Sequence, residues 1–261
     1  MDEGTWREEI ASSMDASVEL FSVLPELFSD LEDLGARGRD VLSLLEVVEL
    51  PATARVLDLG CGKGSALISL AERYGISGLG IDGFSAFLEH ASSRSISLGL
   101  QDQLSFACRD VRDPLEGTEL YDLALLLALG PVFGDTSDTI SGLRRCVRPG
   151  GYMVVDEAYL PDDLDESDPL WEFGVSLDEL ARDLTSHGDE LVAEVVYDTP
   201  EYRSWCGEMS GKIQGRAAAL AERHPELAEE LMDFAERQRE ETQSEDSSFV
   251  GSLFLLRRSS V

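Results

Sequence analysis

Long apolar runs are missing from this 261-residue sequence. No stretch of about 18 apolar residues occurs, so no segment is expected to span a membrane. The opening Met1-Asp2-Glu3 lacks the basic start of a secretory signal. Cysteine is sparse: Cys61, Cys108, Cys146 and Cys206 lie far apart, with no Cys-x-x-Cys. That spacing argues against a disulfide framework or a zinc site and fits reduced thiols in a cytoplasm. Lysine is almost absent, since Lys63 and Lys212 are the only two and every other base is arginine. Positive charge is short overall: 21 Lys+Arg face 52 Asp+Glu, for a net charge of −31. No basic stripe is available to displace counterions, which argues against a nucleic-acid partner. An acid-rich, lysine-poor surface is expected of a protein kept soluble in concentrated salt, where self-repulsion is screened. A halophilic source is therefore the expectation, and most of the acids are read as solvated surface.

What is present centres on Arg55-Val56-Leu57-Asp58-Leu59-Gly60-Cys61-Gly62-Lys63-Gly64-Ser65. A short apolar run reads as a buried strand, three alternating glycines as a turn, and Ala66 to Ala71 as the start of a helix. This is the layout of a nucleotide-binding βα unit, in which backbone approaches a ligand at a helix N-terminus. Glycine permits both that approach and φ > 0. Asp58 lies inside the first strand end, Asp82 closes the run Ser77–Asp82, and Asp110 closes Leu104–Asp110. Acids at three successive strand ends would line one crevice along the carboxyl edge of a parallel sheet. A pyrophosphate would be repelled there, whereas a sulfonium bearing an ammonium and ribose hydroxyls would be attracted. The pattern favours S-adenosylmethionine (SAM) over a dinucleotide.

On these residues the sequence resembles the class I SAM-dependent methyltransferases. Val56–Gly64 is similar to their first motif, Gly80-Ile81-Asp82 to the second, and Cys108-Arg109-Asp110-Val111 to the third. Tyr121-Asp122-Leu123-Ala124 resembles the fourth, and Leu143–Val155 the helix, Pro-Gly-Gly turn and fifth strand. The resemblance implies an α/β fold: a Rossmann-like seven-stranded, mostly parallel sheet with an antiparallel last strand and helices on both faces. It implies that Gly60, Gly62 and Gly64 let backbone follow the methionine part while Asp58 helps hold its ammonium. Asp82 is expected to accept from both ribose hydroxyls, and Asp110 from the adenine amino group beside the Val111 N–H. Cys61, Gly83 and Leu129 complete the expected cofactor set; no metal is called for. Cys61 is read as a small neutral filler. Lys63 lacks the spacer and Ser/Thr of a P-loop and is read as a solvent-facing loop residue.

Around this core, 51–198, the sequence divides into N-terminal helices over 1–50, a helical insertion over 199–246, and a last strand over 247–261. Trp6, Ile10, Met14, Val18, Phe21 and Leu24 recur at helical spacing until Pro25, and a second helix runs from about Gly38 to Leu50. The insertion is rich in Ala, Glu, Leu and Arg. Its position predicts a cap over the acceptor pocket, with Tyr202, Trp205, Met209 and Phe234 as lining; a self-packed helical pair or a homodimer contact is the alternative. No Asn/Asp-Pro-Pro-aromatic signature is present, which lowers the case for a nucleobase acceptor. Glu157 and Tyr159, at the end of the fifth strand, are the candidate catalytic residues should the acceptor need a general base. The function expected is methyl transfer from SAM to a small-molecule acceptor. The alternatives are a protein or RNA methyltransferase, or a SAM-binding protein without turnover.

Overall fold

A computed structural model describes residues 3–12, 14–113, 120–130, 132–165, 167–196, 199–243 and 249–260. The side chain of Trp6, the loop Pro114–Gly117, Pro131, Tyr197 and residues 244–248 lie outside the described part. Seven strands form one sheet: β1 (Arg55–Leu59), β2 (Ser77–Asp82), β3 (Leu104–Cys108), β4 (Tyr121–Leu126), β5 (Val147–Tyr159), β6 (Glu190–Val196) and β7 (Val250–Arg257). Their order is β3-β2-β1-β4-β5-β7-β6. Strands β1 to β5 pair in parallel, and β7 runs antiparallel to both β5 and β6. This is the Rossmann-like sheet that the sequence predicts. The central strands read as unbroken apolar runs because both faces are covered: Leu57, Ala124, Leu125, Val154 and Leu255 are fully buried.

Strand order reverses between β1 and β4, which opens a crevice at their carboxyl ends. Helices α4 (Ser65–Tyr74) and α5 (Ser85–Ser97) follow β1 and β2, and α6 (Thr136–Arg144) follows β4. Helix α7 (Leu177–Leu184) opens with the expected capping box: Glu179 N–H donates to Ser176 Oγ at 3.3 Å, and Ser176 N–H to Glu179 Oε2 at 3.1 Å. Helix α3 (Gly38–Leu45) buries Val41, Leu44 and Leu45 against α4, β6 and β7. It stops at Leu45 rather than running to Leu50. At the opposite, amino edge, Asp122 accepts from Arg55 N–H at 2.6 Å and pairs with Arg148 at 2.7 Å, tying β1, β4 and β5 together.

The chain divides into two compact units. Gly35–Tyr197 with Ser248–Val261 carries the sheet, and Met1–Leu34 with Asp198–Ser247 is helical. The boundary falls at residue 34, not 50, because α3 packs on the sheet's own helix α4. The helical unit holds α1 (Glu3–Ser12), α2 (Leu24–Leu27), α8 (Pro200–Arg223) and α9 (Ala228–Gln243). The continuous helix expected up to Leu24 does not form. The chain turns at Asp15 with φ 54°, makes a short 3-10 turn at Val18–Leu20, and restarts at α2, where Pro25 fits the first turn. Phe234 is fully buried, edge-to-face with Phe28 at 5.9 Å, so it belongs to the core of this unit rather than lining a pocket. Tyr202 and Trp205 lie against each other at 5.3 Å and are partly exposed, as is Met209.

Candidate functional site

The glycine turn after β1 is built as the alternating glycines require. Gly60, Gly62 and Gly64 take φ of 76°, 49° and 74°, a region closed to most residues. Gly60 and Cys61 N–H both donate to the Ile81 carbonyl, at 2.8 and 3.0 Å, which clamps the turn onto the end of β2. A Cβ on Gly60 would lie 2.8 Å from Leu129 Cδ2, so the Leu129 side chain covers the turn at that point. Cys61 is buried with its sulfur against Gly80, where a Cβ would come within 2.7 Å. Burial, and the neighbouring Asp58 and Asp82 charges, push its thiol pKa well up, which disfavours the thiolate that a nucleophile needs. Beyond the turn, Ala128 holds φ 49° without being a glycine, a left-handed residue just past β4.

Two of the three acids meet at this turn. Asp82 Oδ2 accepts from Gly62 N–H at 2.8 Å and its Oδ1 from Phe84 N–H at 2.8 Å. Burial nevertheless raises its pKa, against the pull of the Phe84, Gly62 and Gly83 N–H groups. Asp58 is only 2% exposed. Its pKa rises to about 7, first through burial and then through the neighbouring Asp82 charge. A pair of carboxylates this costly to ionise is poised to receive positive charge. Val111 and Leu129 are partly buried and pack on the cluster around Ile81 and Leu59.

The third acid has an arginine partner of its own. Asp110 is held by Arg112, whose Nη2 donates to Oδ2 at 2.7 Å and whose backbone N–H donates to Oδ1 at 2.8 Å. These bonds keep its carboxyl below the usual range. Arg112 has no part in the sequence expectation, although an acid and an arginine two apart after a strand is a visible signal. Lys63 is corrected outright: it is 4% exposed, not solvent-facing. Burial within a glycine turn has no signature in sequence pattern. Glu157 is half-buried near the end of β5, accepts from the Thr136 hydroxyl, and has its pKa raised by burial. Tyr159 is buried, and its hydroxyl donates to Glu194 Oε1 at 3.0 Å, which Ser252 also meets at 2.8 Å.

A family model described as "Methyltransferase domain" matches residues 51–235. The chain belongs to this methyltransferase family. Its match with YjhP of Escherichia coli, a protein without an assigned activity, is 31% identical over 45% of this chain and 47% of that one. With the trans-aconitate 2-methyltransferase of Acidovorax ebreus it is 29% identical over 67% of this chain and 65% of the relative. The matched stretches thus span about half to two thirds of these curated relatives. Among solved structures, a SAM-dependent methyltransferase from Thiobacillus denitrificans, crystallised with S-adenosyl-L-homocysteine, superposes with TM-score 0.74 at 23% identity. That likeness covers 90% of this chain and 97% of the other. The fold shared with that structure is the class I methyltransferase fold on which the sequence motifs converge. No helix among the chain's described residues is long and apolar enough to cross a membrane.

Proposed function

We propose that the chain moves the methyl group of SAM to a small-molecule acceptor by in-line displacement. The observation that carries this reading is the pair of a buried Asp58 and a half-buried Asp82, gathered at a glycine turn clamped to the end of β2. The donor set fits the cofactor. Each oxygen of Asp82 already accepts one backbone N–H, and a carboxylate oxygen has a second lone pair for a ribose hydroxyl. Asp58, reluctant to ionise alone, gains a counter-charge from an ammonium or sulfonium. Asp110 reaches the adenine amino group by sharing its carboxylate with Arg112. SAM itself supplies a methyl group already activated on sulfur. The residues mainly hold the reactants in line, which is worth roughly 7–11 kcal/mol.

The acceptor is read as neutral or cationic, because a net charge of −31 repels anions. The trans-aconitate relatives are named for an anionic acceptor, so the chain is proposed to differ from them in the molecule methylated. Glu157 is the proposed general base, its carboxyl shifted toward neutrality by burial. The acidic surface is proposed to serve a cytoplasm rich in salt; equal solubility and stability without salt would contradict this. Two measurements test the function. Asp82→Ala is expected to weaken calorimetric SAM binding by more than about a hundredfold, since two charge-assisted bonds are lost. Near-normal affinity in that variant sinks the cofactor assignment. Labelled SAM incubated with a cell extract should pass its label to one metabolite, and Glu157→Gln should slow that transfer at least tenfold.

A further inference from the structure

Asp110 stands where the end of β3 meets the end of β2. Cys108 pairs with Asp82 in the sheet, and the next residue, Arg109, donates its N–H to the Asp82 carbonyl at 3.1 Å. The chain then turns, and Asp113 N–H donates back to the Asp110 carbonyl at 3.1 Å. Arg112 lies inside the turn that Asp110 opens, and its side chain folds back onto the acid. The pair thus belongs to the same edge of the sheet as Asp82.

The bonds on the Asp110 carboxylate can be counted. Its Oδ1 accepts from the Arg112 backbone N–H at 2.8 Å, and its Oδ2 from Nη2 at 2.7 Å. Arg112 Nε stands between the two oxygens, at 2.9 and 3.1 Å. Three hydrogens of one residue therefore meet a group with about four acceptor sites. One site is left. It can only accept, because the Arg112 bonds hold the carboxyl below its usual range and leave it no proton to give. Only 9% of the Asp110 side chain is open to water, so an acceptor left unfilled there is costly. At the 6-position of a purine this asymmetry separates two groups of similar size. An amino group offers a hydrogen to the remaining site, whereas an oxo group sets lone pair against lone pair. A lysine in place of Arg112 would supply charge without the planar fork that fixes the carboxylate.

We propose that Arg112 is a positioning residue which, through Asp110, makes the methyl-donor site selective for a 6-aminopurine over a 6-oxopurine. The proposal rests on the SAM reading above, with Asp110 facing the adenine. Its test is calorimetry with S-adenosyl-L-homocysteine and with the deaminated compound, in which an oxo group replaces the adenine amino group. Wild type should prefer the amino compound about ten- to a hundredfold, the range for one hydrogen bond to a charged group. Arg112→Gln removes charge and fork and should cut that ratio at least about fivefold, while Arg112→Lys, which keeps the charge, should not restore it. A merely structural role weakens both ligands alike and leaves the ratio unmoved. A ratio within about twofold of wild type in Arg112→Gln, or full restoration by Arg112→Lys, therefore overturns the proposal. Asp110→Asn should also narrow the ratio, since its amide can turn a donor toward the oxo group. If that variant keeps the wild-type ratio, Asp110 does not read the base, and the proposal falls while the SAM reading stands. Wild-type protein that binds neither compound overturns the SAM reading itself, and the proposal with it.

Discussion

The sheet unit and the helical unit are held by different physics. In the sheet unit two charged pairs are withdrawn from water: Arg37 with Asp40, and Arg144 with Asp189, whose carboxylate also accepts from Ser259 N–H at 2.9 Å. In the helical unit the ion pairs between α2 or its flank and α8, Arg216 with Asp30 and Arg223 with Glu26, stay largely in solvent. Withdrawn pairs fix geometry because breaking one strands a buried charge. Exposed pairs are screened and add little. The helical unit must therefore draw its cohesion from apolar burial, of which Phe234, Leu231, Ala217 and Leu220 are the visible part.

Phe234→Ala tests that contrast most strongly. The ring is fully buried and meets Phe28 edge-to-face, so truncation should cost the helical unit about 3–5 kcal/mol. Thermal denaturation followed by circular dichroism should then separate an early helical transition from a later one. Binding of S-adenosyl-L-homocysteine measured between the two transitions should persist, because the acids and the glycine turn belong to the sheet unit. A single shifted transition that abolishes binding would mean the two units melt together.

The contrast also explains what could be read in advance. The sheet unit announces itself because its constraints are local: a turn needing φ > 0 must use Gly60, Gly62 and Gly64, and a strand closed on both faces must be apolar throughout. Asp58 and Asp82 follow from their places at strand ends. The helical unit leaves only a 3.6-residue rhythm, which is blind to breaks such as the one at Asp15, where no glycine or proline marks the turn. The close approach of Gly35 to Ala128 and of Gly38 to Ser69 joins residues far apart in sequence, and no local pattern encodes such contacts. The partner of the Tyr159 hydroxyl escapes local pattern in the same way, since Glu194 approaches it from another strand.

Asp58→Asn sharpens the comparison from the other side. Its folded-state pKa of about 7 lies above that of an unfolded carboxyl, so the folded chain holds an extra proton between roughly pH 4 and 7. Stability from this group is present at low pH and is lost as pH rises through 7. The variant should therefore gain up to about 4 kcal/mol over wild type at pH 8 and almost nothing at pH 4. Denaturant midpoints across that range measure it. SAM affinity should fall in the variant, and in wild type it should rise with pH through 7 as a proton is released to make room for positive charge. A gain of stability independent of pH would mean that Asp58 stays ionised throughout.

The smallest effect expected is that of Arg216→Gln, and it separates the two units by salt alone. Arg216 meets Asp30 through Nε and Nη2 at 2.6 and 2.7 Å, yet both side chains remain open to water. An exposed pair of this kind loses its attraction once the screening length falls to about 3 Å, near 1 M salt. The variant should denature slightly earlier than wild type in dilute buffer and together with it in molar potassium chloride. Arg144→Gln in the sheet unit provides the contrasting case, because Asp189 is fully buried and its loss of a partner is not screened by ions outside. Its deficit should persist at every salt concentration. If the Arg144 deficit vanished in salt while that of Arg216 endured, the reading of the Arg144 pair as shielded and the Arg216 pair as screened would have to be reversed.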